Sequence, residues 1–165
     1  MKLLSFFMAL LLCLGVLSSC TARGRSCDFI LFELMAECSA LPDGKIYRSG
    51  ALSQSDDGFL SPYLAEALYG EKHNEYFELL SEYAIYVSSF ASPYEIGVFR
   101  CYSRSDGLKI ENMCRQRADI VSVALRETEF FSLCQNIRVM RRGEYVVFIL
   151  TDSPDAVSHR ARELI

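Results

Sequence analysis

The chain has 165 residues, 51% of them apolar, and carries 17 basic against 21 acidic side chains for a net charge of −4. That length suits one domain with a real core. The acidic balance excludes nucleic acid as an expected partner and offers nothing to attract an anionic bilayer, and the absence of an internal repeat excludes a solenoid.

Met1 and Lys2 precede an apolar run from Leu3 to Val16, which has the length and composition of a secretory h-region. A spanning helix needs about 20 apolar residues. This run reaches only Leu17 before Ser18, Ser19 and Cys20 end it. The tetrapeptide Leu17-Ser18-Ser19-Cys20 resembles the bacterial lipobox, whose cysteine receives a diacylglycerol thioether before cleavage. The resemblance implies a lipoprotein signal peptide over residues 1–19 and a lipidated tether over 20–26, followed by a single α+β domain over 27–165. The protein is then expected at the extracytoplasmic face of a cell membrane, held there by lipid on Cys20. A conventionally cleaved signal peptide and an uncleaved N-terminal helix are the alternatives. Loss of residues 1–19 leaves 146 residues with 16 basic and 21 acidic side chains, a net charge of −5. The polar hexapeptide Thr21 to Ser26 spans at most about 20 Å when extended, so the domain would ride close to the bilayer.

Seven cysteines suggest a disulfide framework at first sight. Cys13 leaves with the signal and Cys20 takes the lipid, so Cys27, Cys38, Cys101, Cys114 and Cys134 remain, an odd number that cannot pair fully within one chain. Four of these lie in apolar or helical stretches, where free cysteine packs as a small hydrophobe. One or two disulfides stay open as the alternative, because the compartment permits them. No C-x-x-C occurs, so neither a zinc knuckle nor a thioredoxin-type pair is indicated.

In chain order, Asp28 is placed to cap a helix from Phe29 to about Ala40, with Ile30, Leu31, Leu34, Met35 and Cys38 near one face. Leu41-Pro42-Asp43-Gly44 ends it, and Gly50 to Gly58 reads as a loop. Pro62 opens a helix that breaks at Gly70, and a further helical piece falls around Asn74 to Leu80. Alternation over Tyr83 to Val87 predicts a half-buried strand. Ser92-Pro93 turns the chain, and Glu95 to Tyr102 is a second strand that completes a hairpin. Ser105 or Asp106 is placed to cap the next element. From Leu108 to Arg126, Ile110, Cys114, Ala118, Val121 and Leu125 form a continuous apolar stripe, the signature of a core-facing helix, whereas Glu111 falls off that stripe. Ile137 to Met140 and Glu144 to Thr151 flank Arg141-Arg142-Gly143 as a second hairpin, and the unbroken run from Tyr145 to Leu150 predicts a central strand covered on both faces. Asp152 or Ser153, with Pro154, starts a final helix. The expected fold is α+β: an antiparallel sheet of about four strands in two hairpins, packed with helices, with the long helix between the hairpins.

Four segments carry a resemblance: Tyr83-Ala84-Ile85-Tyr86-Val87-Ser88-Ser89, Pro93 to Cys101, the helix bearing Arg117, and Gly143 to Phe148. They resemble a family of small, uncharacterised lipoproteins of Gram-positive, clostridia-type bacteria, grouped as a domain of unknown function. The similarity covers roughly residues 28–165 and implies a location and a fold, with no activity to transfer.

Catalytic signatures are mostly missing. There is no G-x-S-x-G elbow and no S-x-x-K pair, no H-E-x-x-H and no phosphate or dinucleotide cradle, so no metal and no cofactor is expected. His73 and His159, the only histidines, stand among polar neighbours and read as solvated. A Cys-His nucleophile could be assembled by folding from either with Cys101. Asp56-Asp57 lies in a turn-like loop, where carboxylates usually serve as caps. Two binding candidates remain. Arg138, Arg141 and Arg142 cluster at the second hairpin, with Arg160 and Arg162 near its base, either as a charged tip that prevents edge-to-edge aggregation or as an anion site. Arg117 sits on the edge of the apolar stripe, either in a structural ion pair or in contact with a ligand. The leading reading is a noncatalytic, membrane-tethered binding or assembly module. The alternative is an extracytoplasmic hydrolase using carboxylates or a Cys-His pair, which a concave pocket with clustered ionisable groups would favour, whereas a flat or convex surface with an apolar patch would favour the module.

Overall fold

The computed structural model describes residues 24–89 and 92–165. The expected signal peptide, Cys20 and the first residues of the tether lie outside the described residues.

The chain runs through helix α1 (Cys27–Ala36), strand β1 (Gly44–Arg48), helices α2 (Pro62–Tyr69) and α3 (His73–Phe77), and strands β2 (Leu80–Ser88) and β3 (Glu95–Cys101). The long helix α4 (Arg104–Ala124) follows, then a 3-10 segment (Glu129–Asn136), strands β4 (Arg138–Arg142) and β5 (Tyr145–Leu150), and helix α5 (Pro154–Leu164). The strands form one antiparallel sheet in the order β1-β2-β3-β5-β4. This is the expected α+β architecture, with α4 between two hairpins and one more strand than the four read from the sequence.

Alternation along the strands divides the core in two. Ile85, Phe99, Cys101, Val146, Phe148 and Leu150 face α2 and α4, where Ile110, Met113, Cys114 and Val121 meet them. Ala84, Tyr86, Ile96, Val98, Val147 and Ile149 face α1 and α5, against Ile30, Leu31, Leu34, Val157 and Ala161. Because both faces are covered, β2 is buried on both sides over Ala84, Ile85 and Tyr86, not half-buried as its alternation suggested. Along α4, the expected stripe holds: Ile110, Cys114 and Val121 are buried, and Ala118 and Leu125 pack beside them.

Helix starts differ from the expected caps by a residue or two. Ser26, not Asp28, accepts the Phe29 N–H, and Ser103, not Ser105 or Asp106, accepts the Asp106 N–H at the start of α4. In both cases the serine has extended backbone angles that aim its hydroxyl at the third helical N–H. Helix α1 stops at Ala36, because Glu37 and Cys38 donate to Leu34 and Met35 in tightened turns. The second hairpin turns through Gly143-Glu144. Gly143 has φ 62° and no non-glycine residue among the described residues is left-handed, so the first turn position takes the positive φ, as in a type II′ turn. Arg25, which the sequence reading places in the tether, is docked on the domain: Tyr145 donates to its carbonyl at 2.7 Å, and its Nη1 donates to the Leu164 carbonyl at 2.9 Å.

Candidate functional site

At the Glu95 end of β3 the sheet and the helices part to leave a groove of about 1160 Å³. One wall is α2, through Leu64, Ala67 and Leu68. The opposite wall is the C-terminal half of α4 and the segment after it, through Val121, Ala124, Leu125 and Phe130. Tyr47, Val87, Pro93 and Tyr94 complete an apolar lining, with Asp43, Lys45 and Glu129 among the groove residues. Lys45 and Glu129 are exposed at the rim. Gly44 lies at the edge where β1 closes on β2: a Cβ there would stand 2.5 Å from the Val87 carbonyl and 2.6 Å from the Tyr86 ring, so any larger residue would push β1 away.

A polar cluster sits deeper. Strand alternation puts Glu95 on the same face as Phe99 and Cys101, so its carboxylate enters the core with only 1% of the residue exposed. Arg117 reaches it from α4, donating through Nε at 3.0 Å and Nη2 at 2.7 Å to Oε2, while the buried Tyr69 hydroxyl donates to Oε1 at 3.2 Å. Both carboxylate oxygens are therefore engaged. Burial opposes the Arg117 charge, but the Glu95 carboxylate more than offsets it and raises the guanidinium pKa. Burial, reinforced by Glu95, holds Tyr69 well above the usual tyrosine range, as a neutral donor. The Arg117 side chain keeps 14% exposure and lines the groove, and its Nη1 has no hydrogen-bond partner among the described residues.

The hairpin arginines do not converge. Arg141 Nε donates to Glu111 on α4 at 2.8 Å, Arg142 Nη1 donates to the Arg162 carbonyl at 2.9 Å, and Arg138 Nη1 donates to the Gln135 carbonyl at 2.8 Å. Arg138 pairs with Ile149 at one end of β4 and Arg142 with Tyr145 at the other, so each guanidinium is engaged by a different part of the chain. Arg160 turns to α1, where it pairs with Glu33.

His73 corrects a sequence reading. It is only 6% exposed, with Nδ1 3.0 Å from the Gly70 carbonyl and a buried Nε2 that has no partner among the described residues. The polar neighbours Glu71, Lys72 and Asn74 disguised it, since α3 turns that one side chain inward. His159 is exposed, 3.6 Å from Glu163. The five cysteines of the domain are free thiols. Burial, then Asp106 and Glu144, pushes Cys101 up to about 11. Burial and Asp152 push Cys38 up to about 11, and burial raises Cys27 and Cys114 further. Neither histidine contributes to any of these shifts, and such thiols are poor nucleophiles. Asp56 Oδ2 accepts the Leu52 and Ser53 N–H groups at 2.9 Å each, which lowers its pKa and makes it a turn cap. No group of three metal-ligating side chains converges among the described residues.

The sequence reading missed the groove and Glu95. One signal was available: Glu95, Gly97, Phe99 and Cys101 share a strand face, and a carboxylate on an otherwise apolar face requires a buried partner. No family model, curated protein or solved structure matches the chain.

Proposed function

We propose that the chain is a membrane-anchored extracytoplasmic lipoprotein, tethered through lipid on Cys20, whose domain is a noncatalytic binding module with its ligand site in the groove between α2 and α4. A concave groove is the shape expected of the hydrolase, and the observation that carries the binding reading is its chemistry: the walls are apolar and the one buried carboxylate is closed in a salt bridge. Its ionisable core supports binding over hydrolysis, because Glu95 has both oxygens occupied and acid–base work needs a carboxylate free to exchange a proton with substrate. The h-region before Cys20 and the lipobox-like Leu17-Ser18-Ser19-Cys20 support the location. Where residues 24–26 are docked also matters. They meet the sheet at Tyr145, which pairs with Arg100, whereas the groove opens beyond Glu95 at the other end of β3. The docked residues therefore lie about 17 Å of strand away from the groove.

The anchor is tested by metabolic labelling with an alkyne fatty acid. Wild type incorporates label and Cys20→Ser does not; an unlabelled wild type removes the lipoprotein half of the reading. The module is tested on the full-length chain in phosphatidylcholine nanodiscs with a photoreactive long-chain hydrocarbon. Crosslinks are expected in the peptides that line the groove, and they should fall to background in Ala124→Trp, which fills the groove from an exposed position. Labelling no denser there than elsewhere on the domain would remove the binding reading. The hydrolase alternative is favoured by the groove being concave around Glu95, and it would be established by ester or glycoside hydrolysis that Glu95→Gln abolishes.

A further inference from the structure

We infer that the groove takes a long apolar chain carrying one neutral hydrogen-bond acceptor, an ester or amide carbonyl, which docks on the outward edge of Arg117. This rests on the groove being the ligand site and adds what the ligand must be.

Three observations define it. The walls at Leu64, Leu68, Val121 and Leu125 are apolar, so most of the occupant must be apolar as well. An extended peptide would bring a row of backbone N–H and C=O groups, each costly to bury on such walls without a partner. Next, the polar group at the floor is a donor. Arg117 has five N–H hydrogens in a rigid fork, and its Glu95 contacts use Nε and Nη2. Arg117 lines the groove and its Nη1 has no hydrogen-bond partner among the described residues, so a ligand that engages it must supply an acceptor. Finally, the charge at that point is already balanced: Glu95 lies 2.7 Å from Nη2 and is buried. A ligand carboxylate would stand close to the Glu95 carboxylate in a low-dielectric site and be repelled. A carbonyl accepts the same hydrogen bond without adding charge.

The test varies the ligand before the protein. Three photoreactive probes with an identical long alkyl chain, ending as a methyl ester, a free acid or a plain hydrocarbon, are presented to the full-length chain in phosphatidylcholine nanodiscs, and crosslinks are mapped to the groove peptides. A hydrogen bond to a charged group predicts labelling by the ester about tenfold or more above the hydrocarbon at equal lipid partition. The double variant Glu95→Leu/Arg117→Met, which removes both charges together, should abolish that preference and keep hydrocarbon labelling. If that variant does not fold, the wild-type comparison of probes decides alone. Equal labelling by ester and hydrocarbon overturns the carbonyl assignment and leaves the groove as an apolar site. Preference for the free acid overturns the neutral-acceptor assignment, and labelling by none of the three overturns the binding module as well.

Discussion

Helix α4 is fastened to the sheet by two glutamate–arginine sites, and they differ in almost everything except their chemistry. At the groove end, Arg117 of α4 meets Glu95 of β3 with side-chain exposures of 14% and 2%. At the hairpin end, Glu111 of α4 accepts from Arg141 of β4 at 2.8 Å and from Arg115 of its own helix at 2.7 Å, with Glu111 19% and Arg141 31% exposed. The second site competes with water and salt at every contact, so its net contribution is small. The first has displaced water from Glu95 and from most of Arg117. Its attraction is strong but must offset a large desolvation cost. A buried pair of this kind is a poor source of stability, and its position at the floor of a groove gives it another use, as a fixed donor edge in an apolar cleft.

The largest expected effect comes from breaking the buried site on one side. Glu95→Ala leaves the Arg117 guanidinium and the Tyr69 hydroxyl without their acceptor in the core. The cost should be about 3–5 kcal/mol, a large part of the whole stability of a domain this size. Glu95→Leu/Arg117→Met/Tyr69→Phe should recover most of that loss, because no charge or hydroxyl is left without a partner. Urea unfolding of the two variants beside wild type decides the point. A triple variant as unstable as Glu95→Ala would mean that the pair itself, and not the stranded charge, holds the helix to the sheet.

The same contrast explains what could be read from the sequence. The stripe on α4, the alternation in β2 and the unbroken apolar run of β5 were legible because each pattern lies within one element, where residue spacing alone fixes the face. The turn at Gly143 was legible for the same reason. Strand β1 was not, since Gly44 to Arg48 is short and becomes a strand through pairing with Ser88 to Ala84, some forty residues on. The groove was invisible because its walls come from α2, three strand ends and the end of α4. Arg117 was visible as an anomaly on the edge of a stripe, and its partner was foreseen only as an acidic residue somewhere near. Tertiary packing chose Glu95.

The smallest effect belongs to the hairpin site, and its signature is pH. The Arg115 and Arg141 hydrogen bonds lower the Glu111 pKa below the usual glutamate value. The folded state therefore binds the proton less readily than the unfolded chain, so stability rises with pH across this interval. The contribution is fully present above the unfolded value of about 4.3 and is lost as the pH falls through the lower, folded value. Glu111→Gln keeps the shape and removes the charge. At pH 7 it should cost about 1 kcal/mol or less, since both arginines reach water, somewhat more than the near-neutral effect suggested by its place off the apolar stripe. The gap from wild type should shrink with added salt and close in acid once the pH has fallen through the lowered, folded value, where wild-type Glu111 is itself protonated. Melting curves across that range provide the measurement. A gap unchanged by acid or salt would show that Glu111 acts through packing, and would erase the electrostatic half of the contrast between the two ends of α4.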